Sequence, residues 1–446
     1  MAKLKSLILA HEVEQVIAAR VAAGEPLCVG LSGGVDSVVL LDILAECAPR
    51  HAWRLSALHV NHQLSPHASA WARFCRQFCR ERGVPLRVVK VTVPRGDSLE
   101  AAARAARYAA YRAQAARHVV LAQHQDDQAE TVLLQLLRGT GVKGLAAMPV
   151  MRADALRPEL QLLRPLLGAT RRDIEAYAAE RKLTWVEDES NRDAYYLRNF
   201  LRLEILPRIE ARVPDYRTAL SRAAGHMADA THLLDELAQI DGGAWVDGTL
   251  AVAALQALPS ARARNLLRYF LSSHQLAMPD ARRLDEALRQ ITTARVDAQV
   301  CVALGDKALR RFAGALYVTP TRMVAPKDFS RPWHEQRRLL VPELQAALDM
   351  RRKRGAGIDL AKLLAQPVTL RLRHGGEKLQ PDPARPRRHV KDLFQEHGVP
   401  PWQRACVPYL WSGERLVWVA GLGIDVAFQA RAGAPGVVPY WLHLAV

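Results

Sequence analysis

Cysteine is scarce in this sequence, and its spacing suggests neither a metal site nor a redox pair. Only 6 of the 446 residues are cysteine. Cys75 and Cys79 lie four positions apart, which places them on one face of a helix rather than in a Cys-x-x-Cys motif. The scattered thiols are typical of a protein from a reducing compartment that has no disulfide framework.

Long apolar runs and Walker-type loops are also absent. No hydrophobic run approaches the roughly 20 residues that a membrane-spanning helix needs, and residues 1–5 show no secretory pattern. We therefore expect a soluble, cytoplasmic chain. No Gly-Lys-Ser or Gly-Lys-Thr occurs, which excludes a Walker loop. A dinucleotide-binding pattern at residues 139–144 follows an amphipathic helix, whereas a Rossmann turn needs a preceding strand.

Acidic residues are few relative to basic ones. Aspartate and glutamate number 45 against 62 lysines and arginines, giving a formal net charge of +17. Arginine, the commoner of the two basic residues, has a planar guanidinium group that fits phosphate well. The composition predicts a polyanionic partner such as nucleic acid, although a generally basic proteome would produce the same excess.

The most informative motif present is the loop at residues 32–37, Ser-Gly-Gly-Val-Asp-Ser. It lies between the apolar runs 27–31 and 38–41, an order that predicts a buried strand, a tight loop and a helix. Adjacent glycines let successive backbone N–H groups face one concavity, to which the helix N-terminus adds its own. Such a loop suits a phosphate group. The alternative is a plain turn in which Asp36 and Ser37 only cap the helix.

Polar residues also follow two further predicted strands. His59 and His62 end the second strand, and the stretch 123–131 follows a third strand at residues 118–122. Strands that alternate with helices in this way predict a doubly wound parallel sheet, which binds ligands beyond the carboxyl ends of its strands. The two histidines lack a nearby cysteine or carboxylate, so a nucleotide contact is favoured over metal coordination.

Charged clusters on two predicted helices leave several roles open. Asp126 and Asp127 are adjacent, which raises the cost of ionising both, and Glu130 shares their helical face. This cluster could bind Mg²⁺, bind a substrate ammonium group or cap the helix; capping explains one aspartate but not all three acids. Arg104 and Arg107 share another helical face and form either a solvated stripe or a contact to phosphate.

The loop at 32–37 resembles the signature of the PP-loop, or N-type, ATP pyrophosphatases, which split ATP into AMP and pyrophosphate. Further stretches narrow the resemblance to the tRNA(Ile)-lysidine synthetase family, and it extends over most of the chain. These stretches are residues 58–62, 100–108, 123–131 and 187–193, the last followed by 198–202. The sequence departs from the family pattern at Ser65, Pro66 and Gln123, and we assign no catalytic role to Ser65 or Gln123.

The resemblance implies a ligase that forms a carbon–nitrogen bond. It would use ATP and Mg²⁺ to join L-lysine to C2 of the wobble cytidine in tRNA(Ile) with a CAU anticodon, through an adenylated cytidine. The products would be lysidine, AMP and pyrophosphate, and the codon read would change from AUG to AUA. The alternatives are a PP-loop enzyme that uses sulfur or ammonia, and a tRNA-binding protein without activity. The chain could act as a monomer or a homodimer.

Motifs and resemblance together give a set of candidate site residues. The nucleotide-binding candidates are Ser32, Gly33, Gly34, Val35, Asp36, Ser37, His59 and His62. The catalytic candidates are Asp36, Arg104, Arg107, His124 and Asp127, with Asp36 also the metal ligand. The lysine-binding candidates are Asp126, Asp127 and Glu130. The tRNA-binding candidates are Arg198, Arg202, Arg387, Arg388 and Lys391.

The length of the chain and its changes in composition predict several domains. We expect an α/β PP-loop catalytic domain at residues 1–212 and an all-helical, tRNA-contacting domain at 213–318. Residues 319–355, which mix prolines with charges, are expected to be a linker with little structure of its own. Residues 356–446 are expected to form a small α+β domain, similar to the family's C-terminal tRNA-binding domain.

Overall fold

The computed structural model describes residues 2–443, with the exception of 94–98, 190–194, 244, 246, 247, 296, 297, 299, 322–325, 327 and 328. The chain divides into two compact units, Met1–Glu236 and Leu237–Val446. Part of the predicted motif at 187–193 lies outside the described residues. None of the described helices is long and apolar enough to span a bilayer.

The first unit is built on a six-stranded sheet. Its strands are β1 (Pro26–Gly30), β2 (Arg54–Asn61), β3 (Leu86–Lys90), β4 (His118–Val120), β5 (Met151–Ala153) and β6 (Gln161–Leu163). The strand order is β3-β2-β1-β4-β6-β5, with parallel pairing except for β5 at the edge. The doubly wound parallel sheet expected from the sequence is confirmed. The chain switches direction across the sheet between β1 and β4, where such sheets bind ligands.

Helices cover both faces of this sheet. They are α1 (Ala2–Ala18), α2 (Val35–Cys47), α3 (Ala68–Glu81), α4 (Leu99–Arg112), α5 (Gln125–Leu137), α6 (Val142–Leu145), α7 (Arg171–Glu180), α8 (Leu197–Phe200) and α9 (Leu206–Glu210). Strand β1 explains why the predicted strands are continuous apolar runs in the sequence, because its residues pack on both faces of the sheet. Val29 packs on the face covered by α1, α2 and α7. Its neighbour Cys28 packs on the opposite face with Tyr111 of α4. Both faces of the strand are therefore buried.

The middle of the chain is mainly helical, but the expected all-helical domain also contains a small antiparallel sheet. Its helices are α10 (Tyr216–Gly242), α11 (Val252–Ala257), α12 (Ser260–Ser273) and α13 (Ala281–Thr293). The sheet has the order β7-β10-β9-β8. Its strands are β7 (Leu250–Ala251), β8 (Cys301–Leu304), β9 (Lys307–Phe312) and β10 (Ala315–Pro320). Short turns with positive φ at Gly305 and Gly314 join the last three strands, and glycine adopts that conformation without strain.

The C-terminal part contains two larger antiparallel sheets and a two-stranded one. Their orders are β11-β15-β18-β19-β20, β12-β13-β21-β14 and β16-β17. The strands are β11 (Ser330–Pro332), β12 (Arg338–Val341), β13 (Ala346–Arg354), β14 (Ile358–Asp359), β15 (Val368–Arg371), β16 (Lys378–Leu379), β17 (Arg388–His389), β18 (Tyr409–Ser412), β19 (Arg415–Val419), β20 (Gly423–Ile424) and β21 (Pro435–His443). The helices are α14 (Leu360–Leu363), α15 (Val390–Glu396) and α16 (Pro401–Arg404). An α+β fold was expected here.

The expectation of a linker with little structure at 319–355 is wrong. Strands β11, β12 and β13 lie within it, and β13 pairs with β21 along nine residues, Ala346 to Arg354. The first five residues of β13 are buried, whereas the last four are charged and exposed. A strand that is buried at one end and charged at the other shows neither alternation nor an apolar run, which is why the sequence did not reveal it.

Candidate nucleotide and substrate site

The loop between β1 and α2 is organised around the side chain of Ser37. Its Oγ accepts hydrogen bonds from the backbone N–H groups of Ser32 (3.1 Å) and Gly33 (3.2 Å) and donates one to the Gly34 carbonyl (2.9 Å). These bonds hold the N–H groups of the loop together near the N-terminus of α2. The contact of Ser37 with a phosphate stays a prediction, since its hydroxyl is engaged within the loop.

Gly33 occupies a position that only glycine fits. Its φ is +96°, and a Cβ there would lie 2.8 Å from a methyl carbon of Val186. The Val186 N–H also donates to the Gly33 carbonyl at 3.0 Å. The stretch that contains Val186 therefore closes over the loop, and a side chain at Gly33 would force the two apart.

The two histidines at the end of β2, His59 within the strand and His62 just after it, differ in their surroundings. His59 is buried below the loop, and its Nδ1 donates to the Leu31 carbonyl at 2.9 Å. Burial lowers its pKa, so the ring is neutral and helps to hold β1 and β2. Both ring nitrogens of His62 are buried without a hydrogen-bond partner among the described residues. Burial, with the charge of Arg107 nearby, lowers the pKa of His62 to about 4, so its ring can bind a ligand in the neutral form.

His124 links the loop to the acidic helix α5. It caps the N-terminus of α5, where the Asp127 carboxylate accepts a hydrogen bond from its backbone N–H at 3.2 Å. Its ring nitrogens lie 3.6 Å from Asp36, 3.5 Å from Asp126 and 3.5 Å from Asp127. The structure thus brings together three of the predicted acidic site residues around one imidazole, at the carboxyl ends of β1 and β4.

Burial and charge shift the pKa values of this cluster in opposite directions. Burial alone would lower the pKa of His124, but the adjacent Asp126, Asp127 and Asp36 carboxylates outweigh it and raise that pKa. Burial raises the pKa of Asp36 despite His124 and Arg171 beside it. Burial would also raise the pKa of Asp126, but the nearby His124 ring and hydrogen bonds from the Arg171 N–H and Arg217 hold that pKa well below its usual range. The cluster can therefore hold a proton on His124.

Arginines contact every carboxylate of the cluster. Arg171 donates to both oxygens of Asp36, at 2.9 and 2.7 Å, and its backbone N–H donates to Asp126 at 2.8 Å. The guanidinium group of Arg217 donates to the other oxygen of Asp126. The short helices α8 and α9 flank a π-helical turn, residues 201–205, that carries Arg202, a geometry common at functional sites.

Two of the predicted tRNA-binding residues belong to this cluster. Arg198 donates to Glu130 at 2.7 Å and to Asp127 at 3.1 Å. Arg202 donates to Glu130 at 2.6 and 3.0 Å and to Asp127 at 3.3 Å. Glu130 is 1% exposed, and both of its oxygens accept hydrogen bonds from these two arginines. The predicted lysine-binding acids thus lie together, each already in contact with a cation.

Arg104 and Arg107 are exposed on α4. Arg104 donates to the hydroxyl of Tyr108 at 3.1 Å and lies 4.9 Å above its ring. Neither arginine forms an ion pair with any acid in the described part of the chain. Their charges are therefore available to a ligand.

The matches to known proteins along the chain point to one family. Family models match it at residues 6–209 (PP-loop domain), 250–317 (TilS substrate binding domain) and 368–441 (TilS substrate C-terminal domain). The tRNA(Ile)-lysidine synthase of Nitrosomonas europaea is 43% identical over 426 residues, which cover 95% of this chain and 93% of the relative. The synthase of Azoarcus sp. is 39% identical and covers 96% and 94%, respectively. The chain belongs to the tRNA(Ile)-lysidine synthase family.

In this family member, three arginines near the sheet edge were not predicted from the sequence as site residues. Arg171 and Arg217 pair with Asp36 and Asp126, as described above. Arg164 directly follows β6, is 2% exposed and donates to the Pro149 carbonyl at 3.0 Å. A signal for Arg171 was present, because Thr170 and Asp173 form a capping box that starts α7 soon after β6. Nothing comparable marks Arg217 or Arg164.

The C-terminal candidates of this synthase family member are mostly engaged within their own unit. Arg387 donates to Asp425 at 2.7 Å, and Asp425 is 1% exposed. Arg388 pairs with Glu396 at 2.7 Å. Lys391 is exposed, and no described residue forms an ion pair with it. The contacts of these three residues with tRNA stay predictions, and Lys391 has the charge most accessible to a partner.

Proposed function

We propose that this chain joins L-lysine to C2 of the wobble cytidine of tRNA(Ile) with a CAU anticodon, in two steps of which the first consumes ATP. It would act as a carbon–nitrogen ligase and release AMP and pyrophosphate. The single observation that supports this best is the meeting of the PP-loop, His124 and three aspartates at one sheet edge, in a member of this family. The edge offers both a phosphate cradle and an acidic pocket for an amine.

The first step activates the base. The C2 oxygen of cytosine is a poor leaving group, so it attacks the α-phosphate of ATP and becomes adenylated, while pyrophosphate leaves. The N–H groups of residues 32–34 donate to the hydroxyls of Ser37 and Ser32; they would turn to the departing phosphates when ATP binds, as donors aimed at developing charge. Exposed Arg104 and Arg107 would stabilise the charge of the transferring phosphoryl group. The cytidine must leave the anticodon stack to reach this edge.

Asp36 is the residue that fits Mg²⁺ best. The described residues contain no group of three or more His, Cys, Asp or Glu side chains that could hold a metal ion by themselves. Mg²⁺ is, however, commonly bound by one or two carboxylates together with substrate phosphates, and Asp36 lies in the first turn of α2, beside the loop. When bound there, Mg²⁺ would neutralise phosphate charge, and Arg171 would give up its place on Asp36.

The second step needs a carboxylate for lysine. In water the ε-amine of lysine has a pKa of about 10.4, so it must lose a proton before it can displace AMP from C2. We propose that Asp126 and Asp127 bind the ammonium group and that Asp127 accepts its proton. Both are partly exposed, whereas Glu130 is fully buried against Arg198 and Arg202. Glu130 would contribute by holding those arginines, which must shift when lysine binds.

The cysteines argue against sulfur chemistry at this site. Burial raises the pKa of Cys28 to about 11 and that of Cys75 to about 12, so both thiols are protonated at neutral pH. A nucleophilic cysteine needs the opposite environment, one that lowers its pKa. Cys75 lies near the loop, 3.5 Å from His59, but it is buried in the core. Lysine is therefore favoured over sulfur as the source of the nucleophile.

Incorporation of radiolabelled lysine into unmodified tRNA tests the proposal. With ATP and Mg²⁺, label should enter tRNA(Ile) with a CAU anticodon and not tRNA(Met). Asp127→Asn should reduce incorporation at least ~100-fold, whereas the matched control Glu175→Gln, at an exposed residue of α7, should leave it unchanged. Cleavage of ATP to AMP without lysine incorporation would overturn the proposed nucleophile. Wild-type rates in both Asp127→Asn and Glu130→Gln would overturn the lysine site.

A further inference from the structure

Strand β13 extends beyond the core that it helps to build. Its residues Ala346 to Met350 are buried, whereas the next four, Arg351, Arg352, Lys353 and Arg354, are all exposed. Side chains alternate between the two faces of a strand, so four consecutive exposed residues mean that both faces are open to solvent. On the β12 side, the backbone pairing ends with the Met350 N–H, which donates to the Arg337 carbonyl at 2.7 Å. Beyond it, the backbone of residues 351–354 has no partner on that edge among the described residues. We refer to residues 351–354 as the basic strand.

Few acids neutralise the basic strand. Arg351 donates to Asp349 at 2.9 Å, and Arg352, at 72% exposure, lies 3.4 Å from Glu335. Lys353 and Arg354 form no ion pair or side-chain hydrogen bond with the described residues. Arg337 lies beside the strand, 3.7 Å from Asp349 and 80% exposed. Positive charge therefore clearly exceeds negative charge on this surface.

A groove of about 410 Å³ runs beside the basic strand. Its walls include Arg337, Arg351 and Arg352, and its apolar lining includes Trp333 and Met350. Trp333 is 5% exposed, and its indole N–H donates to the Gln336 carbonyl at 2.8 Å. The tryptophan ring is thus not available for stacking on a base. The groove offers guanidinium groups instead, which fit phosphate oxygens.

We propose that the basic strand and its groove bind the phosphate backbone of the tRNA substrate, a proposal that rests on the proposed function. Backbone contacts of this kind position an RNA without reading its sequence. The charges predicted for this role at Arg387 and Arg388 are bound by Asp425 and Glu396, whereas Lys353 and Arg354 are free of such partners among the described residues. The strand lies between the segments matched by the family models, which end at residue 317 and resume at 368.

The experiment compares two pairs of exposed basic residues. The test variant is Lys353→Gln/Arg354→Gln. The matched control is Lys5→Gln/Arg20→Gln, on and just after α1, which removes the same charge outside the segments expected to contact tRNA. Binding of full-length tRNA(Ile) is measured from about 50 to 300 mM KCl for both. Each phosphate contact contributes about 0.7 to 0.9 to the slope of log K against log salt. The test variant should weaken binding about fivefold at low salt and lower the slope by about 1.5.

A second substrate separates the tRNA surface from the active site. Lysine incorporation into an isolated anticodon stem-loop should be the same in wild type and in the test variant, since the stem-loop needs only the catalytic site. The proposal is overturned if the test variant binds full-length tRNA like wild type, if the α1 control loses as much affinity, or if stem-loop activity falls equally. Binding of tRNA is measured without catalysis. If wild type failed to incorporate lysine, the proposed function would be overturned, but the comparison of tRNA affinities would still test the basic strand.

Discussion

The arginines around Glu130 and those of the basic strand are the same residue type in opposite settings. Arg198 and Arg202 are 28% and 37% exposed and share the buried Glu130. Arg352, on the basic strand, is 72% exposed, and its nearest acid lies 3.4 Å away. The first pair is held by a buried acid of unit 1, and the second group is available to a partner. A net charge of +17 does not distinguish the two.

The two groups of arginines differ in how far the arginines themselves are exposed and in the carboxylates that they contact. Removing a partner from a buried ion pair leaves an uncompensated charge, which is strongly destabilising, whereas an exposed charge is screened by water and salt. The arginines of the site should therefore control stability and catalysis, and those of the basic strand should control affinity for RNA. Substitutions that remove one acid or one base at a time can break this division.

The largest effect is expected for Glu130→Gln. The substitution leaves Arg198 and Arg202 to share Asp127, so unit 1 should lose about 3 kcal/mol of stability. Hydrogen exchange of the α5 amides measures this locally, without requiring the whole chain to unfold in one step. The control Glu175→Gln removes an exposed acid that pairs with Arg171, and its effect should be below about 0.5 kcal/mol. Equal effects of the two substitutions would mean that burial does not set the strength of these pairs.

A smaller effect is expected for Arg387→Ala. Among the described residues, the substitution leaves the buried Asp425 with only the backbone N–H groups of Gln380 and Ala427 as donors, which should cost about 2 kcal/mol. The affinity of Arg387→Ala for tRNA should not change.

The opposite result is expected for Lys391→Ala, whose stability should be unchanged and whose tRNA binding should be about twofold weaker. Thermal denaturation measures the stability of both variants, and tRNA titration measures their affinity. A large loss of tRNA affinity in Arg387→Ala would mean that Arg387 contacts the RNA after all.

The sequence predicted the elements of the site well because strand ends and glycine loops are local features. The apolar run before Ser32 and the polar residues after β2 and β4 placed His62, His124 and Asp36 at one edge of the sheet. The pairing of Arg198 and Arg202 with Glu130 could not be predicted, since about 70 residues separate the partners. Two arginines predicted to bind tRNA thus proved to be partners of the predicted lysine-binding acids.

The basic strand shows a different limit. Residues 346–354 carry no period that indicates a strand, because burial ends at Met350 while the hydrogen-bonded ladder with β21 continues to Arg354. Prolines and charges in the same stretch led to the expectation of a linker. The partner strand β21 lies about 90 residues away along the chain, so the pairing that orders this stretch is a tertiary effect, which local sequence does not encode.

The smallest predicted effect is a pH dependence confined to the site of unit 1. The Asp126, Asp127 and Asp36 carboxylates raise the pKa of His124 against the opposite effect of burial. A raised folded-state pKa stabilises the protein fully below the unfolded value, about 6.5, and this stabilisation is lost as pH rises through the folded value. Wild type should therefore lose more stability than His124→Gln as the pH rises above about 6.5, as measured by urea denaturation.

The basic strand provides the control for this prediction, because it contains no histidine. Lys353→Gln/Arg354→Gln should follow the wild-type pH profile closely, since arginine and lysine remain charged at and just above neutral pH. Burial lowers the pKa of His59 and of His62, which gives them the opposite dependence, but both are present in every variant and cancel in the difference. Parallel profiles of wild type and His124→Gln would mean that the arginines already neutralise the three aspartates and that His124 holds no extra proton in the folded protein.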